Sequence, residues 1–124
     1  MKKLFVIHFF VLTVLFLSAC IQKELSFKKI DNIPKKVTEA IILNEQLQVI
    51  HSSNKIYYIV FESTEDVKAS SETAGTTAII KLDEVSTDSD VRKYVYTLTI
   101  DKYHNTIDIQ VNGESMSYPV IILD

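Results

Sequence analysis

Residues able to do chemistry are few in this chain and scattered along it. There is one thiol, Cys20, and three imidazoles, His8, His51 and His104. A lone cysteine excludes a disulfide-stapled scaffold. His51 adjoins Ser52 and Ser53, but sequence neighbours do not make a triad; geometry does. The chain has no Gly-x-Ser-x-Gly elbow, no His-Glu-x-x-His pair and no Cys-x-x-Cys motif. With only two glycines it cannot build a phosphate-cradling loop. No catalytic residue is assigned, and a hydrolase would have to use His51 or His104 as its base.

The densest group of functional side chains is acidic. Residues 62–90 hold Glu62, Glu65, Asp66, Glu72, Asp83, Glu84, Asp88 and Asp90 against only Lys68 and Lys81. Carboxylates on loops can chelate Ca²⁺, which takes six to eight oxygens. Asp88-Ser89-Asp90 offers the first two alternating ligands, but Arg92 stands at the third place and no glycine permits the sharp turn. No metal site and no cofactor are therefore expected. A solvated acidic edge that steers a basic protein partner is the better use of these charges. Glu65, Asp66, Glu72, Asp88 and Asp90 make up the candidate binding surface, together with a long irregular stretch expected at residues 63–76. The formal charge of -3 argues against nucleic acid.

The start of the chain carries an address. Lys2 and Lys3 precede an apolar run over residues 4–17, broken only by His8 and Thr13 and closed by Leu17-Ser18-Ala19-Cys20. That order of charge, apolar stretch and small residues is a secretory signal peptide. The run is short for a membrane span, which needs about 20 residues. Leu17-Ser18-Ala19-Cys20 resembles the lipobox of bacterial lipoproteins. The resemblance implies a diacylglyceryl group on Cys20 and cleavage between Ala19 and Cys20. The expected organisation is a signal peptide at 1–19, a lipidated cysteine and tether at 20–33, and one domain at 34–124. Such a protein sits on the extracytoplasmic face of the cell membrane, held by lipid. Its mature chain has 11 basic and 16 acidic side chains, so it is no polybasic membrane binder. The preference for lysine over arginine points to a Gram-positive source.

The remaining elements read as mainly β. Pro34, Val37, Ala40 and Ile41 predict a short helix over 34–43, with a strand over 40–43 as the competing reading. Residues 46–50 alternate. Residues 56–61 form a continuous β-branched and aromatic run, as in a central strand covered on both faces. Residues 77–85, 94–100 and 106–111 alternate again. Asn112-Gly113 predicts a two-residue type I′ hairpin returning through 114–118. Pro119 marks an edge, and 120–123 is a last strand. Tyr57 and Tyr58 point to opposite faces, whereas Tyr94 and Tyr96 share one. The expected fold is a small antiparallel sheet or partly open barrel carrying one short N-terminal helix.

Three segments carry a second resemblance. They are Lys55-Ile56-Tyr57-Tyr58-Ile59-Val60-Phe61, Thr73-Ala74-Gly75-Thr76-Thr77-Ala78-Ile79-Ile80 and Tyr118-Pro119-Val120-Ile121-Ile122-Leu123. Their order is similar to that of PrcB-like protease-complex subunit domains, although Ala74 replaces one glycine of that family's turn. The resemblance implies a protein-binding accessory module for an extracellular protease and no catalytic residue. The expected function is thus non-enzymatic binding of a protein or peptide at the cell surface. The alternatives are a small-ligand or Ca²⁺-binding lipoprotein and an inhibitor or immunity lipoprotein.

Overall fold

Period-two alternation dominates the sequence, and strands dominate the fold. The computed structural model describes residues 25–53 and 55–123, the side chains of 87–89 excepted. In chain order its elements are β1 (Leu25–Lys29), α1 (Lys35–Ala40), β2 (Leu47–Ser53), β3 (Ile56–Ala74), β4 (Thr77–Ile100), β5 (Thr106–Val111), β6 (Glu114–Ser115) and β7 (Val120–Ile122). They form one open sheet in the order β6-β5-β4-β3-β2-β7, with β1 on the free side of the end of β4. The protein is therefore mainly β with one short helix. The sheet is mixed rather than wholly antiparallel, because β7 runs parallel to β2 and β5 parallel to β4.

The long β3–β4 hairpin organises everything else. Gly75 at φ +60 begins its two-residue turn, a conformation that a Cβ disfavours. Far from the turn, Ile56 to Ser63 pair with Thr99 to Arg92. Near the turn, Glu65 to Ala74 pair with Thr87 to Thr77. Register shifts separate the two halves, between Ser63 and Glu65 and between Asp66 and Val67. Bulges of this kind bend a strand and raise its twist. The bend lets Ile59, Phe61, Tyr96 and Leu98 of one half share a core with Ala78, Ile80 and Leu82 of the other. Leu47, Val49 and Ile109 join them. Burial of each large side chain here is worth about 1.5–3 kcal/mol.

The opposite face of the first half carries a smaller core. Val37 of α1 packs there with Ile50, Val60 and Val95, flanked by Tyr58, Ile121 and Leu123. Residues 56–61 are thus covered on both faces, as their unbroken apolar run requires. Tyr57 lies against the main core and Tyr58 against the smaller one, while Tyr94 and Tyr96 are both in the main core.

Three expectations are corrected. The irregular stretch expected at 63–76 is strand and hairpin turn. Val67 and Ala69 are half-buried against the core, while Lys68 and Ser70, which alternate with them, are exposed; this alternation is masked in the sequence by small residues. The tether expected at 20–33 gives way from Leu25 onward, because Leu25 and Phe27 alternate with Ser26 and Lys28 as β1. Phe27 stacks on Tyr96 at 5.1 Å. The helix ends at Ala40 rather than residue 43. Thr38 donates both its N–H and its hydroxyl back to the Pro34 carbonyl, at 3.0 and 3.3 Å, but Ile41 is already extended at ψ 126. Its end is fixed from outside, by Gln48. That fully buried amide accepts the Ile42 N–H at 2.8 Å and donates to the Ile42 carbonyl at 2.9 Å. The expected signal peptide and lipobox-like segment, Ala19 and Cys20 included, lie outside the described residues.

Candidate functional site

The hairpin sets where each candidate acid goes. Glu65 and Asp66 stand at the bend. Asp90 is exposed on a segment of β4, residues 88–91, that has no register partner on β3. Asp88 belongs to the same segment, and its side chain is outside the described set. Glu72 lies six residues further along β3, a distance of about 20 Å on an extended strand. The five residues therefore do not form one patch.

Register also brings cations to the acids. Arg92 donates to Asp66 at 2.7 Å, and Ser86 donates to its other oxygen at 2.7 Å. These bonds, Ser86 first and Arg92 second, hold the Asp66 carboxyl below its ordinary range. Lys81 pairs with Glu72, which raises the lysine pKa. Lys93 lies 3.7 Å from Glu62. Three of the acids at 62–90, Glu62, Asp66 and Glu72, are thus held in exposed ion pairs, each worth little to stability. Arg92 and Lys93 follow the acidic stretch in sequence, so their return across the hairpin could be seen only with the register in hand. Lys68 has no ion-pair partner among the described residues.

A shallow groove of about 360 Å³ opens at the bend, lined by Asn44, Gln46, Glu62, Ser63, Glu84 and Val91. Glu84 is its most constrained acid. It accepts from the Ser63 hydroxyl and, at 3.0 Å, from the Asn112 amide, whose oxygen takes the Glu84 N–H at 2.9 Å. These bonds lower the Glu84 pKa; burial opposes them, and Glu65 adds a smaller lowering contribution. Among the described residues no three His, Cys, Asp or Glu side chains are grouped to hold a metal ion.

The two candidate bases, His51 and His104, sit in different settings. His51 is in β2 and stacks on Tyr57 at 4.3 Å. His104 follows β4 in a turn but is buried, with Nδ1 2.8 Å from Asp101 Oδ1 and Nε2 3.1 Å from Thr73 Oγ1. The same carboxylate oxygen accepts the backbone N–H of Tyr103 at 2.9 Å. A carboxylate–imidazole–hydroxyl chain is the geometry that activates a nucleophile. Here it ties the β4–β5 turn to the hairpin tip. Asp101 and His104 are three apart, but Thr73 is 31 residues away, so sequence reasoning had no signal for the chain.

The feature least visible in the sequence is a bare sheet edge. β2 covers β3 only as far as Phe61, with one further bond from the Glu62 N–H to the Gln46 carbonyl at 2.8 Å. Beyond the bend, no described strand lies on the side of β3 away from β4. The residues whose backbone faces that side can be assigned. The Leu82 carbonyl accepts from the Asn112 N–H on the β5 side at 3.0 Å, and the Thr76 carbonyl from the Asn105 N–H at 2.9 Å. Residues opposite each other in an antiparallel pair either bond to each other or both turn away. Ala69, opposite Leu82, therefore turns its N–H and carbonyl outward, as do Val67, Ser71 and Thr73 by alternation. Such a row is a template for another strand.

Compared with known proteins, the chain matches no family model, no curated protein and no solved structure.

Proposed function

We propose that the protein is a lipid-anchored extracytoplasmic module that binds a protein or peptide partner without catalysing a reaction. The lipid is on Cys20, and the partner lies as an added strand along residues 67–73 of β3. The observation that carries this reading is the outward row of backbone groups at Val67, Ala69, Ser71 and Thr73. Strand addition takes its affinity from main-chain hydrogen bonds and its selectivity from side chains on alternate positions. The lipobox-like Leu17-Ser18-Ala19-Cys20 supports the anchor, since two acyl chains hold a small domain on a bilayer.

The test uses the full chain in a bacterial host that processes lipoproteins. Ser71→Pro removes an N–H that faces the open edge and leaves the β4 ladder intact, which edge strands tolerate. It is expected to keep the wild-type melting temperature within a few degrees and to lose partner recovery in cross-linked membrane extracts. Unchanged recovery would remove the edge as the binding site. Metabolic labelling with a fatty acid is expected to mark the wild type and not Cys20→Ala, and an unlabelled wild type would overturn the anchor.

A further inference from the structure

We infer that the strand added to this edge is the same edge of a second copy, forming a two-fold antiparallel dimer centred on Ser70. The inference rests on the strand-addition reading and adds to it the identity of the partner. Its basis is the charge pattern of the edge in each register that an antiparallel self-pairing allows.

Only registers that set outward-facing residues opposite each other can form bonds. The outward backbone belongs to Val67, Ala69, Ser71 and Thr73, so the dyad must fall on a residue. Centred on Lys68, the strand would place lysine opposite lysine. Centred on Ala69, it would set Asp66 opposite Glu72, again like against like. Centred on Ser71, it would leave Lys68 opposite Ala74 and Glu72 opposite Ser70, with no opposite charges facing. Centred on Ser70, it sets Lys68 of each copy opposite Glu72 of the other, twice by symmetry. Like charges directly opposite destabilise a strand pair and unlike charges stabilise it.

The same register satisfies the backbone. Val67 faces Thr73 and Ala69 faces Ser71 of the second copy, giving about eight main-chain bonds over the dyad. Lys68, Ser70 and Glu72 then meet in the closer, non-bonded pairs on the exposed face, where all three are open to solvent. Glu72 already pairs with Lys81, so the arriving Lys68 completes a carboxylate held between two ammonium groups. Only small side chains stand at the centre, Ala69, Ser70 and Ser71, and none of them blocks the approach of a second backbone. The bulge between Asp66 and Val67 ends the straight edge on one side and the Gly75 turn ends it on the other.

The experiment is oxidative cross-linking of the full chain in membranes of expressing cells, with Ser70→Cys. Non-bonded antiparallel partners stand about 4.5 Å apart at Cα, within disulfide range. Ser70→Cys is expected to give a covalent dimer, whereas Ala74→Cys, remote from its own copy in this register, gives none. Lys68→Glu is expected to lower dimerisation of the detergent-solubilised chain about tenfold, and Lys68→Glu/Glu72→Lys to restore it; thermal melts of each variant check folding. Equal cross-linking at residues 70 and 74, a monomeric wild type, or no restoration by the double exchange would overturn the dimer. A monomer whose partner recovery is still lost in Ser71→Pro would leave strand addition standing with a different protein as occupant. A monomer with recovery unchanged would remove both.

Discussion

Gln48 is a polar side chain with no exposed surface, set between the buried Leu47 and Val49 of β2. Its amide replaces a strand partner for Ile42, so one residue both ends the helix and fastens the following loop to β2. Removing it strands a donor and an acceptor that the loop cannot easily turn to water. Gln48→Ala is expected to cost about 2 kcal/mol, read as a lower denaturation midpoint with unchanged slope. Glu84 makes a second prediction at this scale. Its folded pKa is lowered from the ordinary 4.5, chiefly by the Ser63 hydroxyl and then by Asn112. A depressed carboxyl contributes stability above its unfolded pKa and loses it as pH falls through the folded value. The wild-type melting temperature should therefore fall below about pH 4.5, and Glu84→Gln should flatten that fall. Melting curves between about pH 3 and pH 7 check this; an unchanged pH slope in the variant would show that the bonds to Ser63 and Asn112 carry no linkage.

Elements differ in how openly they were written in the sequence. The central run at 56–61, the alternation at 106–111 and the Asn112-Gly113 turn were all legible. Both turn residues have positive φ, 53 and 86, as a type I′ turn requires. Each of these depends on neighbours close in sequence or on dense apolar content. The second half of β3 was not legible, because its inward positions are Val67, Ala69, Ser71 and Thr73, and only the first two are apolar. Its strand character comes from the register of β4, whose Ala78, Ile80 and Leu82 supply the buried side chains. The parallel pairings of β5 and β7 were equally hidden, since period two marks a strand and not its neighbour. The ion pairs within the candidate surface were hidden for the same reason in electrostatic form. The charges along residues 62–90 can be counted in the sequence, but the cations that pair with Asp66 and Glu62 sit across the hairpin at 92 and 93. The bare edge, on which the proposed binding depends, is a property of what the sheet leaves uncovered, and no local pattern encodes it.

At the scale of the whole molecule, the two faces of the sheet are unequal. The inner face gathers twelve buried residues from both halves of the hairpin, β2 and β5, whereas the helix side gathers four. Elements that bury little open at lower free energy than those locked into the main core. α1 contributes only Val37 as a fully buried residue, and its six residues are far too few to hold a helix alone. The helix, with the flanking residues at 30–46, should therefore open as a unit while β3 and β4 remain paired. Native-state hydrogen exchange is the measurement. Amides of Val37 to Ile41 are expected to exchange through a sub-global opening, with a smaller denaturant slope than global unfolding. Those of Ile59, Phe61 and Leu98 are expected to exchange only with global unfolding. Gln48→Ala should lower the opening free energy of the helix segment more than it lowers that of β3, because the bonds it removes hold the segment and not the strand. Identical protection for α1 and central β3 would mean that the smaller core is fully coupled to the larger, and that the fold opens as one piece.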